Sequence, residues 1–151
     1  MITMQRESLG DSLPELMPIL PLHFEELALD KDKAPLDPQY DKYIVREQLG
    51  ELEFFTVREN GELVGYFIGF TAPGMHYKST LTCIMDIFYI HPEKRGGKLG
   101  RQLFMFVREQ LKARGVKRWF NGSKCHLDAS WLFESIGMTK VETYYSEWIG
   151  D

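Results

Sequence analysis

The stretch IFYIHPEKRGGKLGRQLF (Ile87–Phe104) holds three signals in a row. It starts as the end of an apolar run, TLTCIMDIFYIH (Thr80–His91), apolar on both faces, as a central buried strand must be. Next comes a bare turn with Pro92, Gly96, Gly97 and four cations, Lys94, Arg95, Lys98 and Arg101. From Leu99 the apolar positions Leu103, Phe106, Val107 and Leu111 recur at helical spacing, and Gly115 ends the run. A strand running through glycines into a helix makes an anion site. The first helical N–H groups have no intrahelical acceptor, and the helix dipole is positive there. The two familiar nucleotide loops do not match: G-x-x-x-x-G-K-[S/T] and G-x-G-x-x-G are both absent.

Outward from this stretch, the period of the sequence changes along the chain. Residues Ile2–Ser8 read as a short strand. The segment from Asp11 to Asp30 carries Ser12 and Glu15 at capping-box spacing, with Pro18 and Pro21 breaking it into irregular helical pieces. Residues 39–50 read as a helix stopped by Gly50. ELEFFTVRENGELVGYFIGF (Glu51–Phe70) is two strand-like runs meeting at Asn60-Gly61, a strong hairpin signal. Ala72–Ser79 reads as a loop. After the helix from Leu99, KRWFNG (Lys117–Gly122) reads as a strand. Leu127–Gly137 reads as a helix with Asp128 as N-cap and Gly137 as C-cap, and Met138–Ile149 as a last strand. The order predicts an α/β (α+β) protein, with 1–151 as a single domain.

Composition narrows the function. The 151 residues are 44% hydrophobic and 26% charged, and no apolar run is long enough to cross a bilayer. Cys83 and Cys125 have neither zinc nor redox spacing, so no metal is expected, and a cytoplasmic setting follows. The net charge of −4 argues against nucleic-acid binding. Nine of the 18 Lys/Arg fall between Lys94 and Arg118 with one acid, Glu109, so that segment carries +8 and the rest −12. This charge pattern suits an anionic ligand on one side and a cationic one on the other; it also suits a solvated helix face.

The quoted stretch resembles the acetyl-CoA signature of the GNAT family of N-acetyltransferases. That signature is a hydrophobic strand, a His/Pro turn, then Arg-x-x-Gly-x-Gly into a helix; Arg95 and Gly100 match its Arg and last Gly. DASWLFESIGM (Asp128–Met138) is similar to the family's later Ala-x-x-x-Tyr-Glu-x-x-Gly-Phe pattern through Ala129, Glu134 and Gly137. The short phage-encoded members look nearest in length and loop wording. The resemblance implies a mostly antiparallel twisted sheet, splayed at the central strand, with helices on both faces. It also implies acetyl-CoA as cofactor and acetyl transfer to a primary amine of a small molecule or a protein. Its pyrophosphate contacts would fall on Arg95, Gly96, Gly97, Lys98, Leu99, Gly100 and Arg101. Pantetheine would pair with Phe88, Tyr89 and Ile90.

Two departures stand out. Lys98 occupies the family's central Gly, with Gly97 displaced by one residue. Phe133 occupies the family's general-acid Tyr and cannot protonate a thiolate. Tyr145 is the expected substitute, with Tyr144 and Tyr89 as alternatives. Asp86, the only acid in the central strand, reads either as the base that deprotonates the amine or as a solvent-facing or ion-paired strand residue. His126 falls where the family places a pantetheine-contacting Asn, and reads as binder, base or exposed loop residue. Asn121 reads as a pantetheine contact or a turn residue. Because Phe133 lacks the hydroxyl, a catalytically weak CoA-binding protein of the same fold is the rival reading. The short C-terminus leaves a sheet edge open to a second copy or to a target, and the first of these gives a homodimer.

Overall fold

The computed structural model describes residues 1–151. Five strands form one sheet in the order β1-β2-β3-β4-β5: β1 (Ile2–Arg6), β2 (Leu52–Glu59), β3 (Glu62–Gly74), β4 (Tyr77–Ile90) and β5 (Arg118–Phe120). The first four pair antiparallel, and β5 runs parallel to β4. The β2–β3 turn is Asn60-Gly61, both with positive φ (50° and 86°), the geometry of the tight turn that the dipeptide predicts.

Helices cover both faces. α4 (Leu99–Ala113) and α5 (Ser130–Ser135) bury Leu103, Phe104, Val107, Leu111, Leu132 and Phe133 against Phe55, Phe67, Cys83 and Ile90 of the sheet. On the other face, α1 (Leu9–Leu16) brings Leu9 and Leu16 against Phe54, Tyr66 and Tyr89. α2 (Leu20–Leu27) and α3 (Tyr40–Gln48) extend this layer. Phe54 and Phe55 point to opposite cores, as the two-residue period of a strand requires.

The helix ends correct one expectation. The first cap is Ser8, not Ser12: Ser8 Oγ accepts from the Asp11 amide at 3.2 Å, while Ser12 is buried inside the helix. Glu47, on α3, completes the cap by accepting from the Leu9 and Gly10 amides at 2.6 and 3.3 Å. A carboxylate there opposes the positive end of the dipole. The N-cap of α5 is Ala129, one residue later than expected, but Asp128 Oδ1 still accepts from the Ser130 amide at 2.9 Å.

Two further expectations fail. Ala72–Ser79 is not a loop: β3 runs to Gly74 and β4 starts at Tyr77, leaving Met75 and His76 as the turn. Pro73 is tolerated because β2 pairs with β3 only as far as Phe70, so that edge needs no N–H donor. The last strand does not form: residues after Met138 have no regular structure, and Val141, Tyr144, Tyr145 and Ile149 are exposed.

Arg58 ties β2 to the first helix. Its guanidinium forks onto Glu7, with both contacts at 2.9 Å, and onto Glu15 at 2.7 and 2.9 Å. The Arg58 hydrogen bonds hold the Glu7 carboxyl down at about 2, against an ordinary 4.5. A depressed acid contributes stability above its unfolded pKa and loses it as pH falls through the folded one. The expected result is a contribution of at most about 3 kcal/mol at neutral pH, lost between roughly pH 4.5 and 2. Urea midpoints of wild type and Glu7→Gln should therefore converge toward pH 2; a gap independent of pH would refute the assignment.

Candidate functional site

The site is a gap in the sheet. β5 pairs with β4 only at Thr82–Ile84, so the rest of β4 lacks a partner on that edge. The His91 amide donates to Val64 O on β3 at 2.8 Å, while Arg95 Nε donates to Ile90 O from the opposite edge at 2.7 Å. Backbone groups alternate sides along a strand. Ile90 and Phe88 therefore turn main-chain polar groups into the gap, and Tyr89 pairs inward with Tyr66. Asp86 has no partner on β3: Ile87 sits opposite Ile68 and Met85 opposite Gly69, which makes Asp86 the extra residue of a bulge.

The gap opens into a cleft of about 260 Å³. β4 supplies one wall, from Met85 to Ile90, and Gly122–Lys124 with Leu127–Ala129 the facing one. The turn residues Lys94–Gly97 and Gly100 close one end, and His23 and Leu27 of α2 reach in from above. Gly96 has φ 86°, a conformation that disfavours any side chain, and nothing lies within 4 Å of where a Cβ would sit on it or on Gly97. Lys98 is the N-cap of α4 and makes no side-chain capping bond, so the first helical amides remain available. An extended chain ending in phosphates fits these features: unpaired strand groups along the wall, then an open glycine cradle and free amides.

Of the residues singled out in the sequence, Asp86, Phe88, Tyr89, Ile90, Arg95, Gly96, Gly97 and Gly100 line one cleft. Lys98, Leu99 and Arg101 fall outside its lining, at the mouth of α4. Asn121 also lies outside; its Nδ2 donates to Met138 Sδ at 3.2 Å. His126 lies outside the lining, with Nε2 3.1 Å from Glu26 O. Tyr145 is 93% exposed on the C-terminal segment and takes no part in the cleft. Phe133 is sealed in the core against Phe88 and Phe104.

Several residues of the site escaped the sequence reading. Tyr43 on α3 donates to Asp86 Oδ2 at 2.5 Å. Asp86 is reached from solvent through the cleft, yet neighbouring protein crowds its carboxyl. That desolvation raises its pKa, opposed by the Tyr43 hydrogen bond and the Lys124 charge. His23 is buried, with Nδ1 2.9 Å from Tyr66 Oη. Burial pushes its pKa down to about 4, so it is neutral at pH 7. Glu26 takes the Arg95 guanidinium in a bidentate pair at 2.5 and 2.9 Å. Lys94 is paired with Glu59 at 2.6 Å, which leaves Lys124 as the one cation lining the cleft with no carboxylate partner. His23 and Tyr43 sit among apolar helix positions, and their spacing does not distinguish a core residue from a site residue.

Known proteins share this fold. Ribosomal-protein-alanine N-acetyltransferase from Brucella melitensis biovar Abortus 2308 is 20% identical, with 98% of this chain and 99% of that chain covered and a TM-score of 0.73. An aminoglycoside acetyltransferase from an uncultured soil metagenomic sample is 13% identical, with 99% of each chain covered and a TM-score of 0.76. A predicted acetyltransferase from Clostridium acetobutylicum, solved with acetyl-CoA, is 12% identical over 97% of this chain and 96% of that one, at a TM-score of 0.69. No curated protein matches the sequence. The likeness to these structures establishes the fold, a splayed mixed sheet with helices on both faces. The acetyltransferase (GNAT) family model matches residues 16–138, and with the glycine cradle, the split strands and that match in place, the chain belongs to the GNAT family of acetyltransferases.

Proposed function

We propose that the protein transfers the acetyl group of acetyl-CoA to a primary amine, directly from sulfur to nitrogen, and that 1–151 is one acetyltransferase domain. The observation that supports this best is the unpaired edge of β4 leading from Asp86 to the Gly96–Gly97 cradle. Acetyl-CoA supplies an activated thioester. The chain's part is to bind, to orient and to move protons. The amides of Gly96, Gly97 and Leu99–Arg101, with the Lys98 and Arg101 charges, hold the pyrophosphate. Phe88 and Ile90 offer main-chain hydrogen bonds along the pantetheine arm, and a strand amide polarises the thioester oxygen. Arg95 works indirectly, because Glu26 and Ile90 O already occupy its guanidinium and hold the turn against β4. Asn121 and His126 support the wall facing β4.

Asp86 takes the proton from the incoming ammonium, so that the free amine can attack. Tyr43 steers the carboxylate by holding Oδ2. Lys124 stabilises the departing thiolate in place of the tyrosine that Phe133 replaces. Tyr145 could serve as acid only if the exposed C-terminal segment moved. The two free cysteines, one buried, support a cytoplasmic setting, and no helix is long and apolar enough to cross a membrane. The outer edge of β5 and the exposed apolar C-terminal segment support pairing with a second copy.

Calorimetric titration with acetyl-CoA, followed by thiol release over a panel of amines, tests the proposal. Micromolar binding and amine-dependent release are expected. No binding would refute it, and binding without release from any amine would establish the rival reading that Phe133 favours, a CoA-binding protein without efficient turnover.

A further inference from the structure

The acceptor must bring its nitrogen to Asp86, so the surface beside Asp86, on the sheet face away from α4, bears on what that acceptor is. Ile84 lies two residues earlier on β4, opposite Phe70, whose ring packs on the Tyr43 that reaches Asp86, so it shares that face. Although it sits in the central strand, it is 57% exposed. Phe70 of β3 is its direct cross-strand partner. The Tyr43 ring stands 5.6 Å from the Phe70 ring, and its hydroxyl reaches Asp86. Tyr43, Phe70 and Ile84 thus make one carbon surface that ends at a carboxylate. Beyond Tyr43 this surface meets a depression of about 410 Å³, where the polar residues Gln39, Asp41, Lys42 and Arg46 join Tyr43, Val45 and Phe70.

Polar groups over Tyr43, Phe70 and Ile84 themselves are few. The Tyr43 hydroxyl is given to Asp86. The Arg46 guanidinium lies 4.5 Å from the Phe70 ring centroid, and its Nε is 2.9 Å from Glu51 Oε1. A polyhydroxylated amine laid on Tyr43, Phe70 and Ile84 would press hydroxyls against carbon, at the cost of their desolvation. An apolar or aromatic skeleton would instead cover Ile84 and stack on Tyr43 or Phe70. The cationic head meets Asp86 in either case, so the skeleton decides.

We propose that the acceptor is a primary amine carried on an aromatic or branched apolar group, seated on Tyr43, Phe70 and Ile84 with its nitrogen at Asp86. This rests on the acetyltransferase reading above and names the substrate class of that site. It sets this chain apart from the structurally similar aminoglycoside acetyltransferase, whose name declares a polyhydroxylated substrate.

Thiol release with acetyl-CoA is measured for 2-phenylethylamine, glucosamine and kanamycin, in wild type and in Ile84→Thr, which keeps the β-branch and therefore the strand. The expected kcat/KM for 2-phenylethylamine exceeds that for either sugar amine by about tenfold or more. Ile84→Thr lowers it by roughly tenfold, mainly through KM, lowers glucosamine turnover by less, and leaves acetyl-CoA affinity unchanged. Equal or better turnover of the sugar amines overturns the proposal, and so does an equal loss on all amines. Gel filtration provides a further check: if Ile84→Thr splits a dimer, the patch is a subunit contact and the proposal fails. These outcomes are distinct from failure of the acetyltransferase reading, which would appear as no acetyl-CoA binding or no release with any amine.

Discussion

Asp86→Asn will lower kcat/KM at neutral pH by roughly 10² to 10³ while leaving acetyl-CoA affinity unchanged. Asparagine keeps the shape of the side chain, and its carbonyl can still accept the Tyr43 hydroxyl that lies 2.5 Å from Oδ2. What it loses is the ability to take a proton. The wild-type rate should fall as pH drops through the Asp86 pKa, which burial sets above the ordinary 3.8. That acid limb should vanish in Asp86→Asn. In Tyr43→Phe it should move to higher pH, because the hydrogen bond that favours the charged form is gone. Stability gives an independent check. An acid whose folded pKa is raised destabilises the fold once pH exceeds that pKa, so Asp86→Asn should be neutral or slightly more stable at pH 7. A folded variant that keeps full rate would remove Asp86 as the base.

Phe104→Ala should cost about 3 to 5 kcal/mol of folding stability, read from urea unfolding by circular dichroism. Phe104 is fully buried on α4. Its ring stands 5.7 Å from Phe67 on β3, 4.8 Å from Phe88 on β4, 5.7 Å from Trp119 on β5 and 5.3 Å from Phe133 on α5. One side chain therefore joins three strands and two helices, and α4 cannot collapse into the space without leaving the sheet. The neighbouring Met105 is 41% exposed, and Met105→Ala should cost less than about 1 kcal/mol. Similar losses for the two variants would show that this cluster is not the core. The same packing bears on Phe133: its ring is fully used among aromatic neighbours.

Much of the fold was legible because it rests on local signals. Asn60-Gly61 demands positive φ at two successive residues, and few other dipeptides accept it. The helix from Leu99 to Ala113 carries its own stripe and its own stop. Three errors came from partners remote in sequence. Glu47 helped move the first cap to Ser8. The early end of β2 allowed Pro73 into a strand. The C-terminal segment has strand-like residues, yet no edge receives it.

The site divides along the same line. By itself the sequence determined the glycine turn, its charge and the helix behind it, since a run of adjacent residues carries all three. It also determined that Asp86 is the one acid in the central strand. Only the tertiary structure decided what surrounds them. It set Tyr43 against Asp86 across 43 residues of chain, Glu26 against Arg95 across 69, and His126 against Glu26 across 100. It left Lys124 unpaired in the cleft and Tyr145 outside it. The physical reason is that a hydrogen bond or an ion pair acts over a few ångströms of space, and nothing in a residue's type records which distant segment packing will bring within reach.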